Sequence, residues 1–310
     1  APLRAIPDDA AGWPDRPLRL IVGSAPGGGD IVPRLFATKL AEALGQPVVV
    51  ENRPGASYNI ASDIVARAAP DGYTLLWATS QITLTPTLLG RSVVVDPVTA
   101  LAPITKVLAT PVIVFVQRSL GATTFRELLD VAARAGDRLD YATTGTGTLP
   151  HLVMETLARR AGVALQMIPY SNAGQALADF IEGQIRVFPT FYVGMKPHLA
   201  SGNVLGVAVA SVRRTGSMPG VPSVAELGFP EAAVEPWAGF AAPAGTPAAI
   251  VERLHREIVR IVASPAMVAQ YAQLGMDPVV STPASFAADL RAQVEAWPAI
   301  VRAAGIAIPK

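Results

Sequence analysis

Short apolar runs alternate with amphipathic stretches along most of this chain. Leu18–Val22, Val48–Glu51, Thr74–Ala78, Val112–Gln117, Asp140–Thr143, Gln166–Pro169, Ile185–Pro189 and Leu205–Ala210 have the length and residue content of buried strands. Between them Asp30–Leu44, Asn59–Ala68, Phe125–Arg134, Pro150–Ala161, Gly174–Glu182 and Met195–Ala200 carry helical spacing. Start signals agree: Thr124 and Glu127 have the spacing of a capping box, and Thr148 precedes an early Pro150. The alternation predicts an α/β fold built on parallel sheets wrapped by helices. In the last third, Ala248–Val262, Ala266–Leu274 and Ser285–Ala304 read as helices behind Thr246-Pro247 and Thr282-Pro283, and must pack on a sheet formed earlier. A chain whose ends share one lobe crosses twice, here near Leu101–Val107 and Val209–Val221. The expected division is lobe 1 at residues 1–104 plus 221–310 and lobe 2 at residues 105–220, with a cleft between them.

Two glycine-rich turns stand out against this pattern. Ser24-Ala25-Pro26-Gly27-Gly28-Gly29-Asp30 follows a strand and opens a helix, a geometry that aims backbone N–H groups and a helix dipole at an anion. Asp30-Ile31 stands where a phosphate-binding loop needs Lys-Ser/Thr, and Val32 stands where a dinucleotide turn needs its third glycine. A small carboxylate fits better than a phosphate. Asp30 has the further role of an N-cap accepting the Val32 N–H, with Pro33 in the first turn. The second turn, Thr143-Thr144-Gly145-Thr146-Gly147-Thr148, repeats the device with threonine hydroxyls added. His151 lies in the following first turn, where a neutral imidazole can donate to a ligand and the helix dipole disfavours the cation.

Composition narrows the choices. The 310 residues are 51% hydrophobic and 16% charged, with a net charge of +1 and no basic cluster, which argues for two compact cores and against nucleic acid. No apolar run approaches bilayer-spanning length. The chain has no cysteine, hence no disulfide or thiolate chemistry. The polar, proline-rich lead from Ala1-Pro2 to Trp13-Pro14 reads as a mature end left by signal cleavage or as an arbitrary start.

Leu20-Ile21-Val22 with Pro26–Val32, then Ala41–Ala56 through Gln46-Pro47 and Glu51-Asn52-Arg53-Pro54-Gly55, then Ala66–Leu76 through Pro70-Asp71-Gly72-Tyr73, carry a resemblance. They resemble the Bug family of periplasmic solute receptors, the binding proteins of tripartite tricarboxylate transporters. The likeness continues through residues 141–152, Ile168-Pro169-Tyr170, residues 219–228, Ala242–Pro247 and Ala303–Ile306. It implies two α/β lobes that close on a small carboxylate, without cofactor or metal, in a periplasmic monomer that serves a membrane permease. Carried over as ligand residues are Ser24, Ala25, Gly28, Gly29 and Asp30 in the first loop, and Thr144, Gly145, Thr146, Gly147 and Thr148 in the second, with His151 beside it. Ser80 and Gln81 supply a third loop, and Tyr170 with Ser171 lies after a later strand. The chain departs from the family pattern by a first loop one residue shorter, and by Thr190-Phe191 where an Asp-Asn pair is common. The latter removes a charge and adds rings, which favours an aromatic or apolar carboxylate over a polyhydroxy acid.

Other residues read as structural. His198 and His255 are isolated, Arg53 ties down its turn, and Trp237 and Phe240 are core candidates. No G-x-S-x-G elbow or cysteine nucleophile suggests catalysis. A sensor feeding a signalling partner, and more remotely a nucleotide-dependent enzyme, stay open as alternatives.

Overall fold

A computed structural model describes residues 12–90, 95–136, 139–170 and 172–306. Six strands form the first sheet: β1 (Leu18–Val22), β2 (Val48–Asn52), β3 (Thr74–Thr79), β4 (Leu101–Ala109), β10 (Trp237–Pro243) and β11 (Asp277–Pro278), in the order β11-β4-β10-β3-β1-β2. Both faces are covered, so successive residues of β1 go to different cores. Leu18, Leu20 and Val22 meet Phe36 and Leu40 of α1 (Ile31–Leu44), Leu254 of α8 (Ala248–Val262) and Tyr271 of α9 (Pro265–Leu274). Ile21 faces the other way, to Val65 of α2 (Asn59–Ala66), Ile82 of α3 (Gln81–Leu89) and Phe286 of α10 (Pro283–Ala303).

The second sheet runs β7 (Gln166–Pro169), β6 (Asp140–Thr143), β8 (Val187–Phe191), β5 (Val112–Gln117), β9 (Val204–Val209). One face packs on α4 (Phe125–Ala135) and α5 (Leu149–Ala161), the other on α6 (Ala173–Ile181) and α7 (Tyr192–Leu199). The capping box forms as expected: Thr124 Oγ1 accepts the Glu127 N–H at 3.2 Å, and the Glu127 carboxylate accepts the Thr124 N–H. Thr246 instead donates its hydroxyl to the Pro243 carbonyl and leaves Pro247 as the N-cap of α8.

Three expectations are corrected. Both sheets are mixed, because β10 returns antiparallel between β3 and β4, and β5 runs antiparallel to both β8 and β9. The crossings lie elsewhere. All of β4 stays in the first sheet, and Val224, Ala232 and Val234 pack in the second lobe's core, so boundaries at 104/105 and 220/221 fall inside single packing units. The chain crosses at residues 110–111 and 235–236, where the Thr110 N–H donates to Pro236 O at 2.9 Å and the Val234 N–H to Ala210 O at 3.1 Å. The third correction is α3, a helix at the place where residues 80–81 were expected only to form a loop. Unbroken burial from Ile82 to Thr85 and again at Thr87, with Pro86 inside the helix, erases the amphipathic period.

Finally, α10 belongs to both lobes. Phe286 and Leu290 sit in the first core, Trp297 and Val301 in the second.

Candidate functional site

Strand directions decide which turns can meet. β4 leads into β5 across residues 110–111, so the carboxyl end of β4 and the amino end of β5 lie at the junction between lobes. β10 is antiparallel to β3 and β4, so β3 runs with β4, and β1 and β2 run with β3. β8 runs against β5, and β6 and β7 run with β8. Every turn after β1, β2, β3, β6, β7 and β8 therefore opens on the junction. This places residues 24–30, Ser80, Gln81, residues 144–148, Tyr170, Thr190 and Phe191 on lobe ends that face each other; Ser171 lies outside the described residues.

The first loop is braced from within. Asp30 Oδ1 accepts the Gly27 N–H at 2.9 Å, and Arg34 Nε donates to Oδ2 at 2.7 Å. The same guanidinium reaches Asn52 Oδ1 at 2.8 Å, while Asn52 Nδ2 holds the Ser24 carbonyl at 2.9 Å. The expected Asp30 cap on Val32 does not form; its carboxylate turns back to Gly27 because the intervening residues coil into a single 3-10 turn. The Gly27 N–H, and then Arg34 and Asn52, hold the Asp30 carboxyl below its usual range against burial. Gly29 has to be glycine, since a Cβ there would lie 2.9 Å from Ser24 Oγ. What remains outward is the exposed backbone of Ala25, Pro26, Gly27 and Gly29, with the amino end of α1 behind it.

The second loop is braced in the same manner. Gly147 donates its N–H to Nδ1 of buried His151 at 3.0 Å, and Thr148 Oγ1 donates to Gly145 O at 2.9 Å while touching Thr143 Oγ1. His151 thus turns its acceptor nitrogen to the loop, and burial lowers its pKa more than Glu155, 3.9 Å from Nε2, raises it. Thr148 begins α5 without the side-chain cap its position suggested, its hydroxyl being spent on the turn. Thr144 and Thr146 stay exposed. Gly147 adopts a φ of +78°, and a Cβ on it would meet Leu88 of α3 at 2.8 Å, so the lobes touch at this loop.

The remaining expected residues divide. Ser80 is buried, its N–H on Trp237 O and its carbonyl taken by Thr83. It lines a cavity of about 150 Å3 with Leu149, Val234, Pro236, Gln293 and Trp297. Gln81 is half-buried at the start of α3, as are Thr190 and Phe191 at the end of β8. The Tyr170 hydroxyl donates to Asp179 at 2.8 Å; burial first, then that carboxylate, raises it to about 12. Arg53 pairs with Glu51 at 3.0 Å, and Trp237 and Phe240 are core. Among the described residues no three metal-ligating side chains come together.

One residue escaped the sequence. Tyr58 follows β2 with its ring against Gly23 at the end of β1 and its hydroxyl beside those of Ser24 and Thr79. Ser24 Oγ and Thr79 Oγ1 are buried and neither reaches hydrogen-bond geometry with a protein group, although the phenol stands beside both. No apolar period marks a lone tyrosine in a turn.

The TctC family, Tripartite tricarboxylate transporter family receptor, matches residues 32–306. Protein BugT of Bordetella pertussis is 34% identical over 304 residues, 97% of this chain and 93% of that protein. A solved structure of R. palustris Rpa4515 with adipate superposes with a TM-score of 0.85 at 30% identity, covering 95% of this chain and 99% of that one. The periplasmic binding protein BugD superposes at 0.81 with 30% identity, over 95% and 99% of the two chains.

Proposed function

This chain belongs to the tripartite tricarboxylate transporter receptor family, and from that premise we propose that it captures a small organic carboxylate between its two lobes and hands it to a membrane permease. The observation that carries the reading is the pair of strand-loop-helix turns, 24–30 and 144–148, opening from opposite sheets on one junction. Each presents backbone amides at a helix N-terminus, and the second adds the exposed hydroxyls of Thr144 and Thr146. Neither loop brings a cationic side chain to its tip, so recognition falls to dipoles and neutral donors. These suit a carboxylate, whose charge is delocalised over two acceptor oxygens. Closure brings both sets of donors onto one anion and gives a shape that a permease can distinguish from the open form.

The ligand body is apolar or aromatic. Phe191 at the end of β8 and the cavity walls Leu149, Val234, Trp297 and Ile300 suit such a body, while Ser80, Glu235 and Gln293 are the polar groups on that cavity's lining. The adipate held by the R. palustris relative, a straight apolar chain between carboxylates, is of this type. The protein acts as a periplasmic monomer and performs no catalysis.

Thermal unfolding with a panel of mono-, di- and aromatic carboxylates tests this. At a hundred times Kd, a true ligand stabilises the fold by about 2.7 kcal/mol. A panel in which no member raises Tm overturns the proposal.

A further inference from the structure

Tyr58 occupies a position that resists it. Its φ is +71°, a region that bulky side chains avoid, and it follows Ala56 at +45° and Gly55 at +129°. The turn holding it follows β2 and so opens on the junction between lobes. A Cβ on Gly23 would lie 2.3 Å from the Tyr58 ring, so the glycine and the ring fill one space just past the end of β1. The phenol hydroxyl reaches across to Thr79, the last residue of β3, and to Ser24, the first residue of the glycine loop. The ring is half-buried: it packs against the cluster of Ile21, Leu76, Ala78 and Ile82 in the first lobe and leaves the rest of its surface open. Beneath the phenol lie the buried hydroxyls of Ser24 and Thr79, neither of them in hydrogen-bond geometry with a protein group.

We propose that Tyr58 is a specificity-determining residue that sets the length of the ligand, its ring standing where a carboxylate held by the first loop would extend toward the ends of β1 and β3. This rests on the reading of the junction as a carboxylate site. Among acids with an apolar body it favours the shorter over the longer, adipate included, and assigns the selection to ring volume.

Calorimetry on the wild-type protein and on Tyr58→Gly, Tyr58→Asn and Tyr58→Phe tests it, with two probe pairs: succinate against adipate, and benzoate against 4-ethylbenzoate. Glycine and asparagine both tolerate the left-handed backbone, so asparagine serves if the glycine variant fails to fold. The Kd ratio of the longer to the shorter probe falls by about tenfold or more in the Gly and Asn variants, the size of effect expected when a hydrophobic pocket gains or loses a methylene. In Tyr58→Phe it stays at the wild-type value. Wild-type binding with unchanged ratios in the Gly and Asn variants overturns the length filter and leaves the carboxylate site standing. An equal shift in Tyr58→Phe overturns the filter too, since the hydroxyl would then be selecting. A wild-type protein that binds no probe overturns both readings.

Discussion

The Gly147 amide donates to Nδ1 of His151 across 3.0 Å, which makes the imidazole an acceptor and places its proton on Nε2. Protonation would replace that lone pair with an N–H and set two donors against each other. Burial lowers the folded pKa of His151, so the unfolded chain takes up the proton first. The stabilisation is complete above the ordinary imidazole value of about 6.5 and is lost as pH falls through and below it. His151→Leu should lower stability by about 1–3 kcal/mol at pH 8, through the unpaired Gly147 N–H, and flatten the fall in stability as pH drops below about 6.5. Chemical denaturation of both proteins across that range checks it.

Asp30, Arg34 and Asn52 act as one brace under the first loop. Asp30→Ala should cost about 1–3 kcal/mol and weaken carboxylate binding, because it releases the Gly27 N–H. Arg34→Met should cost less, and the two together should fall short of their sum, the mark of a shared network. The folded carboxyl titrates below its usual range, so the contribution is present above the unfolded value and fades as pH drops toward the folded one. A double-mutant cycle read by urea denaturation, with calorimetry for binding, decides the matter.

Both glycine loops and most strands were legible because glycine punctuation and apolar runs are local signals. Several strands match their expected bounds, among them Leu18–Val22, Val112–Gln117 and Gln166–Pro169. Long-range pairings left no local trace. Nothing near Trp237 announces that its strand inserts antiparallel between β3 and β4, and Asn52 finds the Ser24 carbonyl 28 positions away. Burial on all sides hid α3, and Tyr58 gained its place from contacts with Gly23 that only the folded chain creates.

The threonines of the second loop should separate by role. Thr146→Val removes an exposed hydroxyl and should weaken carboxylate binding by a few-fold, consistent with a net hydrogen bond of about 0.5–1.5 kcal/mol, with Tm unchanged. Thr148→Val removes the hydroxyl that closes the turn on Gly145 and should lower Tm as well. Paired calorimetry and melting curves distinguish the two; equal behaviour of the variants would show that one role covers both.

Behind Ser80, Trp297 Nε1 donates to Thr83 Oγ1 at 2.8 Å, and Trp237 Nε1 donates to Gln293 Oε1 at 3.0 Å. The hydroxyl of Thr83 in turn donates to Ser80 O at 2.7 Å. Thr83→Val should leave the buried Trp297 N–H unpaired and cost about 1–3 kcal/mol. Thr83→Ser should restore most of it. Urea midpoints of the two variants give the comparison.

The helix α10 couples the two halves of the molecule. Phe286 and Leu290 finish one core and Trp297 and Val301 the other, so neither core is complete without this one helix. Whatever loosens it therefore costs both halves packing at once, and their stabilities are tied through a single element.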